Sequence, residues 1–385
     1  MQHNRIIGGK SVCIFLGVLI FSSSGYPQQW DLRGQLSFSV NASNDPSAER
    51  SNIDQLIGYI PTLSVYPEQS LFEGIDFEAA LNLNVQFDGF FGSGNKGTDG
   101  SSEFHRLWVR YSSESVEFRY GLQKIAFGPG LILRPLRWFD SLDPKDPTGQ
   151  TDAVTSARFR YFGKHDVTYW GWAVHPENSE LFSPGGRIEL PVPVVGELGL
   201  TYHHRPGYEG DKIPDNSGMP FVHQSSQEDR YGIDIRADVV IGIWAEAVVA
   251  KSSGGNPFYR IDRSVYMIGG DYTLSVGNGL YLLAEHMFDR VESKFLRTQF
   301  NREFTAFMMN YPIGIFDQVA LIFEYDWDGE RMFNFLKISR TYDNLTVNLI
   351  LFDNPKRDEF TEVELSGAGN AGFGTGFQAV LVYNH

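Results

Sequence analysis

The chain of 385 residues has one cysteine, Cys13, and its strongest apolar run, Ser11–Phe21 (SVCIFLGVLIF), is only 11 residues long. It has no basic excess: 32 Lys and Arg stand against 47 Asp and Glu, a net charge of -15. No linker, low-complexity tract or shift in composition divides it, and no long stretch shows helical periodicity. Each absence excludes a class. A run this short falls below the ~20 residues a helix needs to span a bilayer. It follows Arg5 and Lys10 and precedes Ser22, Ser23, Ser24 and Gly25, the layout of a cleaved export signal. We expect a signal peptide at 1–25 and a mature chain at 26–385. Cys13 leaves with that segment, so the mature chain has no disulfide, no Cys-ligated zinc and no thiolate nucleophile. Removing Arg5 and Lys10 takes the net charge from -15 to -17. A surface so acidic does not suit nucleic acid, whose phosphates call for a basic one.

What the chain has is alternation. In Ile75–Asp88 (IDFEAALNLNVQFD), Ile75, Phe77, Ala79, Leu81, Leu83, Val85 and Phe87 alternate with mostly polar residues. Tyr231, Ile233, Ile235, Ala237 and Val239 do the same against Gly232, Asp234, Arg236 and Asp238. A period of two puts one set on each face of a strand. These runs reach about 9–13 residues against the usual 5–6 of soluble proteins, long enough to cross a membrane at a tilt. One face is too apolar for water and the other too polar for a packed core. A bilayer tolerates no open sheet edge, so such strands close into a barrel.

The connections alternate as well. Tight ones are expected at Pro67–Gln69, Ser112–Ser115, Gly163–Asp166, Val194–Gly196, Val240–Ile241, Val276–Gly279, Ile315–Asp317 and Asp343–Asn344. Longer, polar, Gly-rich ones lie between them, near 41–55, 88–103, 127–153, 176–184, 205–228, 252–262, 291–303, 327–331 and 354–371. Short turns on one side and long loops on the other are the outer-membrane pattern. The expected fold is an all-β, antiparallel up-and-down transmembrane barrel of 18 strands. Sixteen is the count if the segments near 167–175 and 185–193, interrupted by Pro191 and Pro193, do not pair. Trp30, Tyr66, Phe87, Tyr111, Tyr161, Phe288, Phe316 and Trp327 stand near strand ends, as interfacial girdles require.

Charges of the polar face gather on neighbouring strands: Arg106 and Arg110, Arg119, then Arg158 and Arg160, with Asp76, Glu78 and Asp88 beside them. Farther round, Arg230, Asp234, Arg236 and Asp238 alternate in sign. Such groups set selectivity in a narrow pore, or hold the wall together as ion pairs. The loop at 127–153 lies between the strands of Arg119 and Arg158. It carries Leu131, Ile132, Leu133, Leu136, Trp138, Phe139 and Leu142, more apolar area than a solvated loop keeps. Pro135, Pro144 and Pro147 stiffen it. We expect it inserted in the barrel as a constriction or plug, with Arg134, Arg137, Trp138, Asp140, Asp143 and Asp146 at the narrowing. A contact surface for an outside partner is the competing use.

FRYGLQKIAFGPG (Phe118–Gly130) followed by LRWFDSLDPKDP (Leu136–Pro147) resembles the pattern of porin-like outer-membrane barrels, including alginate-export-type ones. The matching positions are Arg119, Gly121, Gln123, Gly128, Asp143 and Pro144. The resemblance implies passive diffusion or export of a polar solute through the outer membrane. The barrel reading itself adds contact with lipid and lipopolysaccharide outside, and action alone or as a homotrimer.

Other motifs carry less. GSGNKG (Gly92–Gly97) has no following helix to hold a pyrophosphate. Asp140, Asp143 and Asp146 lack the spacing of a calcium loop. His203 and His204 are adjacent on a strand and face opposite ways. His223, Ser225, Ser226, Asp229, Glu285 and His286 contain the residue types of a rim hydrolase, but nothing in their spacing selects them. The reading is a non-enzymatic channel with no cofactor and no metal. Its rivals are a closed structural or adhesion barrel, bridged through Asp358, Glu359, Glu362 and Glu364, and a rim hydrolase.

Overall fold

The computed structural model describes residues 28–45, 52–67, 74–89, 97–176, 181–192, 196–207, 209–214, 220–224, 227–253, 261–293, 297–360 and 372–385. The expected signal peptide, most of GSGNKG, and Ser225, Ser226, Glu362 and Glu364 lie outside them, as do the side chain of His223 and parts of several connections.

Eighteen strands form one closed antiparallel sheet. The first half comprises β1 (Gln28–Ser43), β2 (Ile53–Pro67), β3 (Ile75–Asp88), β4 (Gly97–Ser112), β5 (Val116–Gln123), β6 (Val154–Phe162), β7 (Thr168–Val174), β8 (Ser183–Val192) and β9 (Gly196–Arg205). A small separate hairpin, β10 (Glu209–Pro214) and β11 (Pro220–Gln224), stands in the following connection. The second half comprises β12 (Gln227–Asp238), β13 (Gly242–Ser253), β14 (Ile261–Leu274), β15 (Leu280–Ser293), β16 (Thr298–Pro312), β17 (Asp317–Asp326), β18 (Arg331–Thr341), β19 (Leu345–Asp353) and β20 (Thr375–Asn384). Each strand pairs with the next, β9 pairs with β12, and β20 closes on β1 from Gln35↔Asn384 to Ser43↔Gly376.

The strand count and the alternation of turns stand as expected, including both doubtful segments. β8 runs through Pro184 and Pro191, whose registers with Ala173 and Glu197 are kept. Several long connections are shorter than expected. β4 begins at Gly97 and β16 at Thr298, because polar strand ends read as loop in the sequence yet still satisfy their backbone groups in the ladder. β5 ends earlier, at Gln123, so the long loop is 124–153 rather than 127–153.

Facing is set by parity. Phe118, Tyr120, Phe159, Tyr161, Ile233, Ile235, Leu349, Leu351 and Leu381 are exposed on the outside of the sheet. A lipid-facing wall has this composition. Of the aromatics near strand ends, Tyr66 shares the parity of Ser64 and faces inward, where it sits within electrostatic reach of Arg110. One bulge, between Ala80 and Leu81 opposite Phe104–Arg106, resets β4 so that Arg106, Trp108 and Arg110 share the inner face.

Candidate functional site

The 124–153 loop is tied to the inner wall far from its own strands. Glu246 on β13 accepts the backbone N–H of Gly130 at 2.7 Å and of Leu136 at 3.1 Å. Glu285 on β15 accepts those of Leu131, Ile132 and Leu133 at 2.7, 2.9 and 2.6 Å, and the Trp244 indole N–H at 3.2 Å. Both carboxylates are buried, at 3% and 1% exposure. Each carboxyl group takes up several loop N–H groups that would otherwise be buried without an acceptor. A buried acid is tolerated here because the loop brings its own donors.

Apolar contact follows the same route. Ile125, Phe127 and Leu136 pack with Trp172, Val174, Val248 and Val265. Leu133 joins Trp244, Met267, Leu283 and Ala306, and Ile132 bridges to Ile322, Phe335 and Ile350. Trp138 and Phe139 meet edge to face, and Phe139 stands 4.9 Å from His203, which accepts the Trp172 indole N–H. Gly128 is in the left-handed region (φ +87), and a Cβ there would lie 2.7 Å from the Glu246 carboxylate. A glycine is required for the loop to come this close.

The returning half of the loop is held by polar contacts. Lys145 donates to Glu324 on β17 at 2.8 Å and lies over the Phe335 ring. Burial pulls its ammonium pKa down, but Glu324 and Asp143 more than offset this and raise it above the ordinary lysine value. Gln150 donates to Gln35 on β1 at 2.7 Å, Gln35 donates to the Thr148 carbonyl at 3.2 Å, and Arg106 on β4 donates to the Thr151 carbonyl at 2.8 Å.

Of the expected narrowing residues, Arg134 and Asp140 are paired with each other inside the loop, with Arg134 also donating to the Gly130 carbonyl. They staple the loop and present no free charge. Asp143 and Asp146 accept the N–H groups of Lys145 and Thr148, each at 2.9 Å, which holds two tight turns. Both remain within electrostatic reach of Lys337 on β18. Trp138 is half-buried beneath the Arg230 guanidinium, and Arg137 is exposed.

The structure brings the expected arginines together with an acid that sequence reading passed over, Glu117. Arg119 and Arg158 face each other across β5–β6, Arg110 faces Arg119, and Glu117 sits among them. Glu117 receives Arg158 at 2.6 Å, with Arg110 at 3.6 Å and Arg119 at 4.0 Å. Arg110 is also paired with Asp76. Glu78 accepts the Trp108 indole N–H at 3.1 Å and lies 3.6 Å from Arg33. Arg119 stacks over Trp108 and Arg160 over Trp170, each at 4.1 Å, so the indole faces spread cationic charge that carboxylates do not cover. Five arginines against Asp76, Glu78 and Glu117 leave this sector basic. Across the wall, Arg187 is fully engaged by Asp234, Glu189 and Thr201, each with a contact at 2.9 Å.

Three acids carry the site: Glu117 and Glu246, both missed in the sequence, and Glu285, named there only as a rim-hydrolase candidate. For the last two a signal exists, a lone acid in an apolar inward set (Trp244, Glu246, Val248; Leu283, Glu285, Met287). The rim-hydrolase set is not assembled among the described residues. Glu285 faces inward to the loop, while His286 faces outward and contacts Thr305 and Glu303. Asp229 is taken by His204 and Tyr202.

No protein family matches the sequence, and no curated protein does. Solved structures do resemble it. A trimer form of OmpT, an outer membrane protein of Vibrio cholerae, shares 10% identity over 93% of this chain and 99% of its own, with a TM-score of 0.54. OccAB1 of Acinetobacter baumannii shares 8% over 94% and 97%, and OccK8 (OprE) of Pseudomonas aeruginosa shares 10% over 94% and 99%, both at a TM-score of 0.56. At such identities the likeness is one of fold, and the fold of this chain is that of the porin-like outer-membrane β-barrels.

Proposed function

We propose that the chain is an outer-membrane channel that lets small polar or charged solutes through by diffusion, filtered by the basic sector and by the 124–153 loop acting as a constriction. The observation that carries this is the attachment of five loop N–H groups to Glu246 and Glu285 on the far wall. A loop attached there crosses the lumen and narrows it beside Arg106, Arg110, Arg119, Arg158 and Arg160, with Asp76 and Glu78 lining the same wall. Low-dielectric walls concentrate the field of those charges on whatever passes. Arg137, Asp143 and Asp146 line the loop's own side of the strait. On this reading the short turns are periplasmic, the signal at 1–25 is cleaved, and lipid and lipopolysaccharide surround the barrel. The Vibrio protein is described in a trimer form; the proposal extends to a homotrimer here, read as a threefold mass in detergent by ultracentrifugation.

The test is conductance of the folded chain in a planar bilayer under asymmetric salt. Discrete steps with a reversal potential support the channel. Silence from protein shown to be inserted favours the second reading, a closed structural barrel, which draws on the same loop because it reaches β1, β4, β13, β15 and β17 at once.

A further inference from the structure

The loop divides the inner wall into two kinds of surface. From β7 round to β19 its apolar side chains lie against the wall, through three clusters and through the contacts of Phe127 with Arg187 and of Phe139 with His203. That arc is sealed. The arc from β20 through β1 to β4 is different. Ser37, Asn82 and Asn84 point inward there, and the Ser37 and Asn84 side chains converge over Gly58. The loop meets this arc through polar contacts to Gln35 and Arg106.

Beside the Gln35–Gln150 pair lies a cavity of about 540 Å³ that Arg33, Thr62, Glu78 and Arg106 line and that reaches Asn344 of the β18–β19 turn. Arg33 stands 3.6 Å from Glu78. Arg106 spends its hydrogen bonds on the carbonyls of His105 and Thr151, so among the described residues no carboxylate neutralises it in direct contact. Arg158, by contrast, is buried and paired with Glu117, and Arg119 and Arg160 are stacked on tryptophans.

We propose that solute crosses off the barrel axis, along β1–β3 and past the Gln35–Gln150 pair. Charge is then read in the cavity beyond by Arg33, Glu78 and Arg106 rather than by Arg119, Arg158 and Arg160. The inference rests on the channel reading and locates its path. Carboxamides offer a donor and an acceptor without net charge, so the strait selects by size and hydrogen bonding and leaves charge to the cavity.

Cysteine accessibility tests this directly, in a chain lacking Cys13 so that each introduced thiol is the only one. Gln35→Cys, Ser37→Cys and Thr168→Cys, the last on the same face of β7 as Trp170, are each checked for the folded state by heat-modifiable migration in SDS. They are then treated, during single-channel recording, with a sulfonate-bearing methanethiosulfonate reagent. The expected result is a stepwise, severalfold fall in conductance for Gln35→Cys and Ser37→Cys and none for Thr168→Cys. A conducting parent with no fall at Gln35→Cys, or with a fall at Thr168→Cys, overturns the path and leaves the channel standing. A parent that inserts and never conducts overturns the channel reading itself.

Discussion

Leu133 and Glu285 are 152 positions apart in the chain, and the backbone N–H of one meets the carboxylate of the other at 2.6 Å. Leu131 and Ile132 give their N–H groups to the same carboxylate. Glu285→Gln would keep one acceptor oxygen and turn an amide N–H₂ toward donors that then lack a partner. A hydrogen bond to a charged group contributes about 1.5–3 kcal/mol, so the loop loses at least that much attachment while the barrel wall is unchanged. The expected outcome is a larger, noisier single-channel conductance with an unaltered heat-modifiable band. A conductance identical to the parent's would show that the loop does not limit flow.

Gly128 predicts a paired result with Gly149. Both have positive φ, +87 and +64, but a Cβ at Gly128 meets the Glu246 carboxylate and Leu136, whereas nothing lies within 4 Å of one at Gly149. Gly149→Ala pays only the left-handed backbone cost, about 1–2 kcal/mol. Gly128→Ala pays that and also displaces the loop from its anchor. Conductance should rise in Gly128→Ala and stay near the parent value in Gly149→Ala. Equal behaviour of the two would mean that the closeness of loop and Glu246 is of no consequence.

The barrel was legible because period-two alternation and turn spacing are local properties of the chain. Ile75–Asp88 shows both faces of β3 without reference to any neighbour. The loop's packing against a surface was legible from Ile132, Leu133 and Leu136, apolar residues that needed a wall. Its anchors were not. Glu246 and Glu285 stand out as lone acids in apolar inward sets, but they accept backbone N–H groups, which every loop residue except the prolines has, so no side-chain pattern names their partners. Arg134 and Asp140 misled for the same reason in reverse: two charges six positions apart look available until the fold joins them.

Arg106 and Arg110 lie on one face of β4 and were read as equals, but Arg110 is paired with Asp76 and lies near Glu117, while among the described residues Arg106 hydrogen-bonds to carbonyls, with Glu78 and Asp152 only at longer range. Arg106→Glu should therefore move the reversal potential in asymmetric salt toward cation preference more than Arg110→Glu does. Arg110→Glu would bring three acids together and should mainly lower the temperature at which the folded band is lost. If Arg110→Glu shifts selectivity and Arg106→Glu does not, the basic groups that matter lie on the β5–β6 side.

Lys145 predicts how the loop responds to alkali. Burial disfavours its charge, but Glu324 and Asp143 outweigh burial and lift its pKa above the ordinary lysine value. A group raised in the folded state adds stability that is complete below its unfolded pKa, about 10.4 for lysine, and vanishes as pH climbs through the folded one. The attachment to Glu324 should therefore be constant through neutral pH and fail only in strong alkali. Conductance recorded from pH 6 upward is expected to be flat in this respect until about pH 10 or above, then to rise as the returning half of the loop loosens. Lys145→Met keeps the contact with Phe335 but has no charge to lose, so its conductance should already be raised at neutral pH and show no alkaline step. An alkaline step that persists in Lys145→Met would assign the titration to another group and sink the role given to this ion pair.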